Sequence, residues 1–196
     1  RFSPAYREWG DPQAPVLVCV HGLTRCARDF DTLAAAMADR YRVVCPDVAG
    51  RGRSGWYADP MLYQVPQYVA DMVTLIARLD VESVHWVGTS MGALIGMALA
   101  SLPAAPGVPP LVSRLVMNDA GPVVTRASLE RIAAYVGLPV ALPDFEAALR
   151  YVRTVSASFG PHSEEQWRCL TEAVVRRNDD GSWRLHYDPR LAEPFR

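Results

Sequence analysis

The sequence predicts an α/β fold: a mostly parallel sheet with helices on both faces and a helical insertion after it. Three observations carry this expectation. Short apolar runs alternate with segments of helical periodicity as far as Pro122, the order that builds a parallel sheet with crossover helices. Those runs are apolar at successive positions, as in strands buried on both faces. Past Pro122, three helical patterns follow one another with no strand between them.

In chain order, Phe2 to Trp9 supplies one or two edge strands. Val16-Leu17-Val18-Cys19-Val20 is a buried strand that stops at His21-Gly22. Phe30, Leu33, Ala34, Met37 and Ala38 recur at helical spacing, and Tyr41 to Cys45 is a second core strand halted by Pro46-Asp47. Val69, Met72, Val73, Ile76 and Leu79 form the apolar stripe of a helix starting near Pro66. Val84 to Val87 is a third strand. Met91 to Leu102 is apolar all round, hence a helix buried on every side. Leu115-Val116-Met117 belongs to a fourth strand, ending at Asn118-Asp119. The later helices run from about Arg126 to Val136, from the N-cap Asp144 with Phe145, Leu149, Val152 and Val155 inward, and from the capping box Ser163-Glu164-Glu165-Gln166. Asn178-Asp179-Asp180-Gly181 is a turn, after which Trp183, Leu185 and Tyr187 alternate with polar residues. Residues 1–122 thus read as the core, and 123–196 as a helical cap or lid region.

Composition bounds the function. With 196 residues, 50% of them hydrophobic, the chain can bury a core of one domain with an insertion. A net charge of -1 gives no basic surface, so nucleic acid is not an expected partner. All 20 basic residues are arginine. Without lysine there is no Schiff-base chemistry, no Walker-type phosphate loop and no protein-kinase site. Cys19, Cys26, Cys45 and Cys169 lack metal spacing or a disulfide framework, and read as reduced, mostly buried thiols of a cytoplasmic protein. Val87 to Ser113 carries no charge, but Pro103, Pro106, Pro109 and Pro110 break it, so no membrane span is expected. No signal peptide opens the sequence.

The chemistry centres on Gly88-Thr89-Ser90-Met91-Gly92, placed where a strand ends and a helix begins. A serine hydroxyl is a poor nucleophile unless it is held exposed beside a base. A sharp strand-to-helix turn exposes it, at the cost of a strained backbone, and leaves room only for glycine at positions 88 and 92. The pattern is common in loops; the strand before it and the helix after it make Ser90 the expected nucleophile. His21-Gly22-Leu23 ends the first core strand at the same sheet edge. The amides of Leu23 and Met91 are the natural pair to hold an oxyanion, and the helix starting at Met91 aims its N-terminal amides there.

These residues carry a resemblance. His21-Gly22, Asp47-x-x-Gly50-x-Gly52-x-Ser54, the Gly88–Gly92 elbow and Asn118-Asp119-x-Gly121-Pro122 occur in the order and at the separations of α/β-hydrolase-fold enzymes with a helical cap. The likeness spans nearly the whole chain. It implies Ser90 as nucleophile, Leu23 as an oxyanion amide, and a cap inserted after the strand ending at Asn118. Gly50-Arg51-Gly52-Arg53-Ser54-Gly55 also matches a dinucleotide fingerprint. That motif must open a helix, whereas Trp56, Tyr57, Asp59-Pro60 and Pro66 follow here. It reads as a tight turn with Arg51 and Arg53 solvated.

The base is missing. His21 belongs to the oxyanion turn, where its ring supports neighbouring loops. His85 lies about 16 Å before Ser90 at the rise of a strand. His162 and His186 fall in the cap region and are weak candidates. The resemblance implies two further strands after the cap, whose loops carry the acid and the histidine. Asp119 is a candidate acid, with hydrogen bonding to amides near Gly121 as its alternative role. The absent histidine and the open end at Pro194-Phe195-Arg196 lead to the expectation that the last core strands are missing and that this chain alone is inactive. An unpaired edge at the strand of Leu115 to Met117 would then favour self-association.

The resulting expectation is a hydrolase of carboxylic esters or related acyl compounds, acting through an acyl-enzyme at Ser90, with no metal or organic cofactor. Serine at 90 argues against the carboxylate-nucleophile chemistries of the fold. A carbon–carbon bond hydrolase of the same fold, and a catalytically incomplete hydrolase-like binding protein, are the alternatives. A small ester-like substrate is the expected partner; its identity is not encoded legibly in aromatic residues such as Tyr151, Trp167 and Trp183, which serve equally as packing.

Overall fold

The computed structural model describes residues 4–195. Phe2 and Ser3 of the expected first strand lie outside the described residues, as do Arg1 and Arg196. Five strands form one sheet: β1 (Ala5–Trp9), β2 (Val16–Val20), β3 (Arg42–Asp47), β4 (Val84–Thr89) and β5 (Val112–Asn118). Their spatial order is β1-β3-β2-β4-β5. β1 runs antiparallel to β3, and all other pairs are parallel. The chain leaves β2 toward β3 on one side and returns at β4 on the other. The crevice beyond the ends of β2 and β4 is therefore a topological switch point, the usual ligand position in such sheets. Register makes the strands end level there: Val20 pairs with Gly88, and Thr89 with Asn118.

Period-two alternation sends neighbouring residues to opposite faces. Val16, Val18, Val20, Val44 and Trp86 pack under helices α2 (Val65–Arg78) and α3 (Met91–Ala100). Leu17, Cys19, Val43 and Cys45 pack on the opposite face with Phe30 and Ala34, the latter on α1 (Asp31–Met37). Both faces are covered, as the unbroken apolar runs require. α2 carries Pro66 in its first turn, where the missing N–H needs no partner. α3 buries Met91, Gly92, Ala93, Ile95, Gly96 and Leu99 but is not enclosed on every side as expected: it ends at Ala100, which is exposed, and Leu102 beyond it is 41% exposed. Its Gly96 lies against the Trp86 ring, whose Nε1 donates to the carbonyl of Gly92 at 3.0 Å.

The second layer holds α4 (Arg126–Ala133), α5 (Phe145–Val155) and α6 (Glu164–Val174). The expected caps form: Asp144 accepts from the Ala147 amide at 2.7 Å, and Ser163 and Gln166 make a reciprocal capping box. An antiparallel hairpin follows, β6 (Val175–Arg177) with β7 (Trp183–Leu185). β6 was not legible in sequence, because it follows α6 without a break. The layer has its own cluster, Leu142, Ala148, Val152, Ala173, Val174 and Val175, into which Cys26 of the core inserts. Conversely, Val136, Tyr187, Leu191 and Ala192 join the main core. Shared apolar packing thus joins the two layers.

β5 is the outer strand of the sheet among the described residues, with Val116 56% exposed. The uncharged stretch from Val87 resolves into the end of β4, then α3 and a loop. Among the described residues no helix is long and apolar enough to cross a membrane. Cys19, Cys26 and Cys45 are buried free thiols and Cys169 is exposed.

Candidate active site

Ser90 occupies the single position between β4 and α3, with φ 51° and ψ −112°. Positive φ is costly for a residue with a Cβ. Three backbone bonds hold it there. The Ser90 amide donates to the carbonyl of Asn118 at the end of β5 (2.8 Å), and its carbonyl accepts from Ala93 (2.9 Å) and Leu94 (3.2 Å) as α3 begins. The flanking glycines are required by close approach of backbone. A Cβ at Gly88 would overlap the carbonyl of Gly92, and a Cβ at Gly92 would overlap the carbonyl of Val20.

The turn after β2 faces this elbow. His21 is wholly buried; its Nδ1–H donates to the carbonyl of Gly22 (2.7 Å), and its Nε2 accepts from the Val48 amide (3.0 Å). Burial, assisted by the positive charges of Arg51 and Arg25 and opposed by the Gly22 bond, pushes its pKa down to about 3. The ring is therefore neutral and pins the turn to the end of β3. A Cβ on Gly22 would sit 3.7 Å from the Ser90 Cβ, so the two turns are in close register. Leu23 and Met91, the expected oxyanion residues, both border the cavity that Ser90 lines.

That cavity measures about 700 Å³, within the range of small-molecule sites. Leu23, Ser90, Met91 and Leu94 line it from the core, and Leu129 and Ile132 from α4. Asp119 lines it too, with φ 54°. Ser90 and Asp119 are two of three non-glycine residues with positive φ among the described residues; the third, Asp80, lies in the turn after α2. The Asp119 carboxylate makes no hydrogen bond among the described residues. Its alternative role, bonding to amides near Gly121, is not realised.

The other histidines are engaged elsewhere. His85 packs edge-on against Tyr41, with ring centroids 5.5 Å apart. His162 is bonded to the carbonyl of Gly160 and lies against Trp167. His186 accepts from Arg176 Nε at 2.9 Å, and burial together with Arg176 and Arg184 lowers its pKa to about 4. Among the described residues no group of three or more His, Cys, Asp or Glu could hold a metal ion.

The glycine turn after β3 is a structural device. Asp47 accepts from the amides of Ala27 (2.8 Å) and Arg53 (2.9 Å), and Gly52 leaves no space for a Cβ beside that carboxylate. Ser54 donates to the Asp47 carbonyl at 2.6 Å. No helix starts after this turn until a single 3-10 turn at Pro60–Leu62. One expectation fails here. Arg51 is not solvated but wholly buried, with Nε donating to the carbonyl of Leu23 at 2.8 Å. No local signal marks this, because the acceptors on Leu23, Tyr68 and Met91 lie in distant parts of the chain.

Residues 15–184 match the family model of the alpha/beta hydrolase fold. The 3-hydroxybutyrate-oligomer hydrolase of Cupriavidus necator is 61% identical, over 98% of this chain and 65% of its own length. The chain thus spans less than two thirds of that relative. Among solved structures, a putative hydrolase from Rickettsia typhi superposes with a TM-score of 0.89 at 33% identity, covering 97% of this chain and 66% of the other. An alpha/beta hydrolase from Novosphingobium aromaticivorans gives 0.84 at 33% identity, covering 99% and 71%.

Proposed function

The chain belongs to the α/β-hydrolase fold family, and from that premise we propose that it is the nucleophile-bearing part of a serine ester hydrolase. The observation that carries the reading is Ser90, strained at the switch point and bordering a cavity of about 700 Å³. Its Oγ attacks the ester carbonyl carbon while the proton passes to a general base. The carbonyl electrons move onto oxygen, held by the amides of Leu23 and Met91. Collapse breaks the ester C–O bond, the leaving alkoxide takes the proton from the base, and an acyl-enzyme remains; water then attacks it, giving its proton to the same base, which returns one to Ser90 Oγ as the acid leaves. Residues 123–196 act as the cap over this site.

We assign the base to a residue outside positions 1–196. His21 is neutral with both ring nitrogens occupied, and His85, His162 and His186 are held in other contacts. This chain alone is then inactive. Asp119, a free carboxylate on the cavity wall, is our candidate for the acid that orients the base. The substrate class we propose is short oligoesters of 3-hydroxybutyrate, on the strength of the 61% identical relative and the largely apolar cavity lining.

The test is release of 3-hydroxybutyrate from its dimer and trimer by the intact gene product, with Ser90→Ala beside it. Turnover lost in the variant supports the reading. Turnover by a folded Ser90→Ala protein refutes the mechanism. Cleavage of a vinylogous diketone in place of esters would instead support the carbon–carbon reading, and a folded, intact protein inert to both would support a binding role.

A further inference from the structure

The β3–α2 turn buries a cation that the mechanism above does not use. The Arg51 side chain is wholly enclosed. Among the described residues no carboxylate pairs with it; its donors go to neutral acceptors. Nε reaches the carbonyl of Leu23 (2.8 Å), Nη1 the carbonyl of Ala49 (2.6 Å) and the Tyr68 hydroxyl (2.8 Å), and Nη2 the sulfur of Met91 (3.4 Å). The guanidinium also lies 4.9 Å from the Tyr68 ring centroid and 5.8 Å from that of Tyr63. Burying a charge without a counter-charge is unfavourable, even when its hydrogen bonds are satisfied. A negative charge arriving beside it would recover part of that cost.

Two of those contacts identify where. Leu23 and Met91 are the residues whose amides flank Ser90 in the proposed oxyanion site. A single planar fork grips both, one by its carbonyl and one by its side chain. The Arg51 backbone is meanwhile bridged to Tyr187 in the second layer, and the neighbouring Gly52 amide donates to the carbonyl of His186 at 3.2 Å. The arginine is therefore anchored from behind and cannot drift from the site without breaking that seam.

We propose that Arg51 is a positioning residue of the oxyanion hole: it holds the Leu23 peptide through its carbonyl against the Met91 side chain at the elbow, and supplies the buried positive charge that the oxyanion neutralises as it forms. This rests on the ester-hydrolase reading above. A fixed, buried charge needs no reorganisation when the tetrahedral intermediate appears, so its effect falls on the transition state rather than on substrate binding. Lysine cannot replace it fully, since an ammonium lacks the planar fork.

The experiment compares wild type, Arg51→Met and Arg51→Lys in the intact gene product, with thermal melts confirming the folded state. Readouts are kcat and KM on a 3-hydroxybutyrate dimer, and affinity for a trifluoromethyl ketone, which forms a tetrahedral adduct on serine. The expected result is a kcat loss of about tenfold to a hundredfold in Arg51→Met with KM within about twofold, and a matching loss of ketone affinity. Arg51→Lys should fall between the two. If Arg51→Met fails to fold, Arg51→Lys alone decides by the same split. Unchanged kcat in the folded variants, or a rise in KM with kcat held, overturns the proposal. A wild-type protein inert to esters refutes the underlying reading instead, and is seen before any variant is made.

Discussion

Replacing Ser90 by glycine should stabilise the protein relative to Ser90→Ala while both variants lose hydrolysis. Ser90 sits at φ 51°, and a non-glycine residue held in such a region costs about 1–3 kcal/mol. Alanine keeps the Cβ and hence the strain. Glycine removes it, against about 0.5–1 kcal/mol of extra backbone entropy lost on folding. The hydroxyl makes no capping bond to α3, so its removal costs both variants alike. The net expectation is that Ser90→Gly exceeds Ser90→Ala by about 1 kcal/mol, or about 2–4 °C in Tm for a domain of this size. Paired melts by circular dichroism, with urea titrations to check the m-value, measure the difference. A glycine variant no more stable than the alanine variant would refute the claim that the elbow holds this residue under strain.

Acid should destabilise the fold through His21. Its folded pKa of about 3 lies below the ordinary histidine value of 6.5, so between those limits the unfolded chain binds the extra proton. The stability is fully present above pH 6.5 and is lost as pH falls toward 3, by about 1.4 kcal/mol per unit at the steepest. His21→Gln should flatten that slope in urea titrations across pH, and an unchanged slope would contradict the assignment. Residues 1–196 expressed alone should self-associate along β5, whose Val116 is exposed; sedimentation should show dimers or larger species that Val116→Arg reduces, whereas a monodisperse monomer argues against this. Ellman's reagent should titrate one thiol in the native state, Cys169, because Cys19, Cys26 and Cys45 are buried and burial pushes Cys26 up to about 12. More than one rapid equivalent would contradict the packing.

Much of this fold was legible because its signals are local. The unbroken run Val16–Val20 announces a strand covered on both faces, and the uncharged helix after Ser90 announces the burial of Ala93, Ile95, Gly96 and Leu99, though not of its far end at Ala100. Ser90 and its glycines were legible for the same reason, since strand, turn and helix lie in one contiguous stretch. Arg51 was not. An arginine between two glycines reads as a solvated loop residue by default, and its burial depends on Leu23, Tyr68 and Met91, up to 40 positions away. β6 escaped because Val175-Arg176-Arg177 carries no break from α6, and its strand character comes from pairing with β7. The free state of the Asp119 carboxylate was equally non-local: nothing in Asn118-Asp119-Ala120-Gly121 tells whether those amides turn toward it.

Covalent labelling tests the proposed reacting atom directly. The intact gene product, treated with a fluorophosphonate and digested with trypsin, should carry the phosphonyl mass on the Leu79–Arg114 peptide, with fragment ions locating it on position 90 and competition by a 3-hydroxybutyrate oligomer slowing its appearance. An ester-cleaving preparation whose adduct sits on another residue would contradict the account.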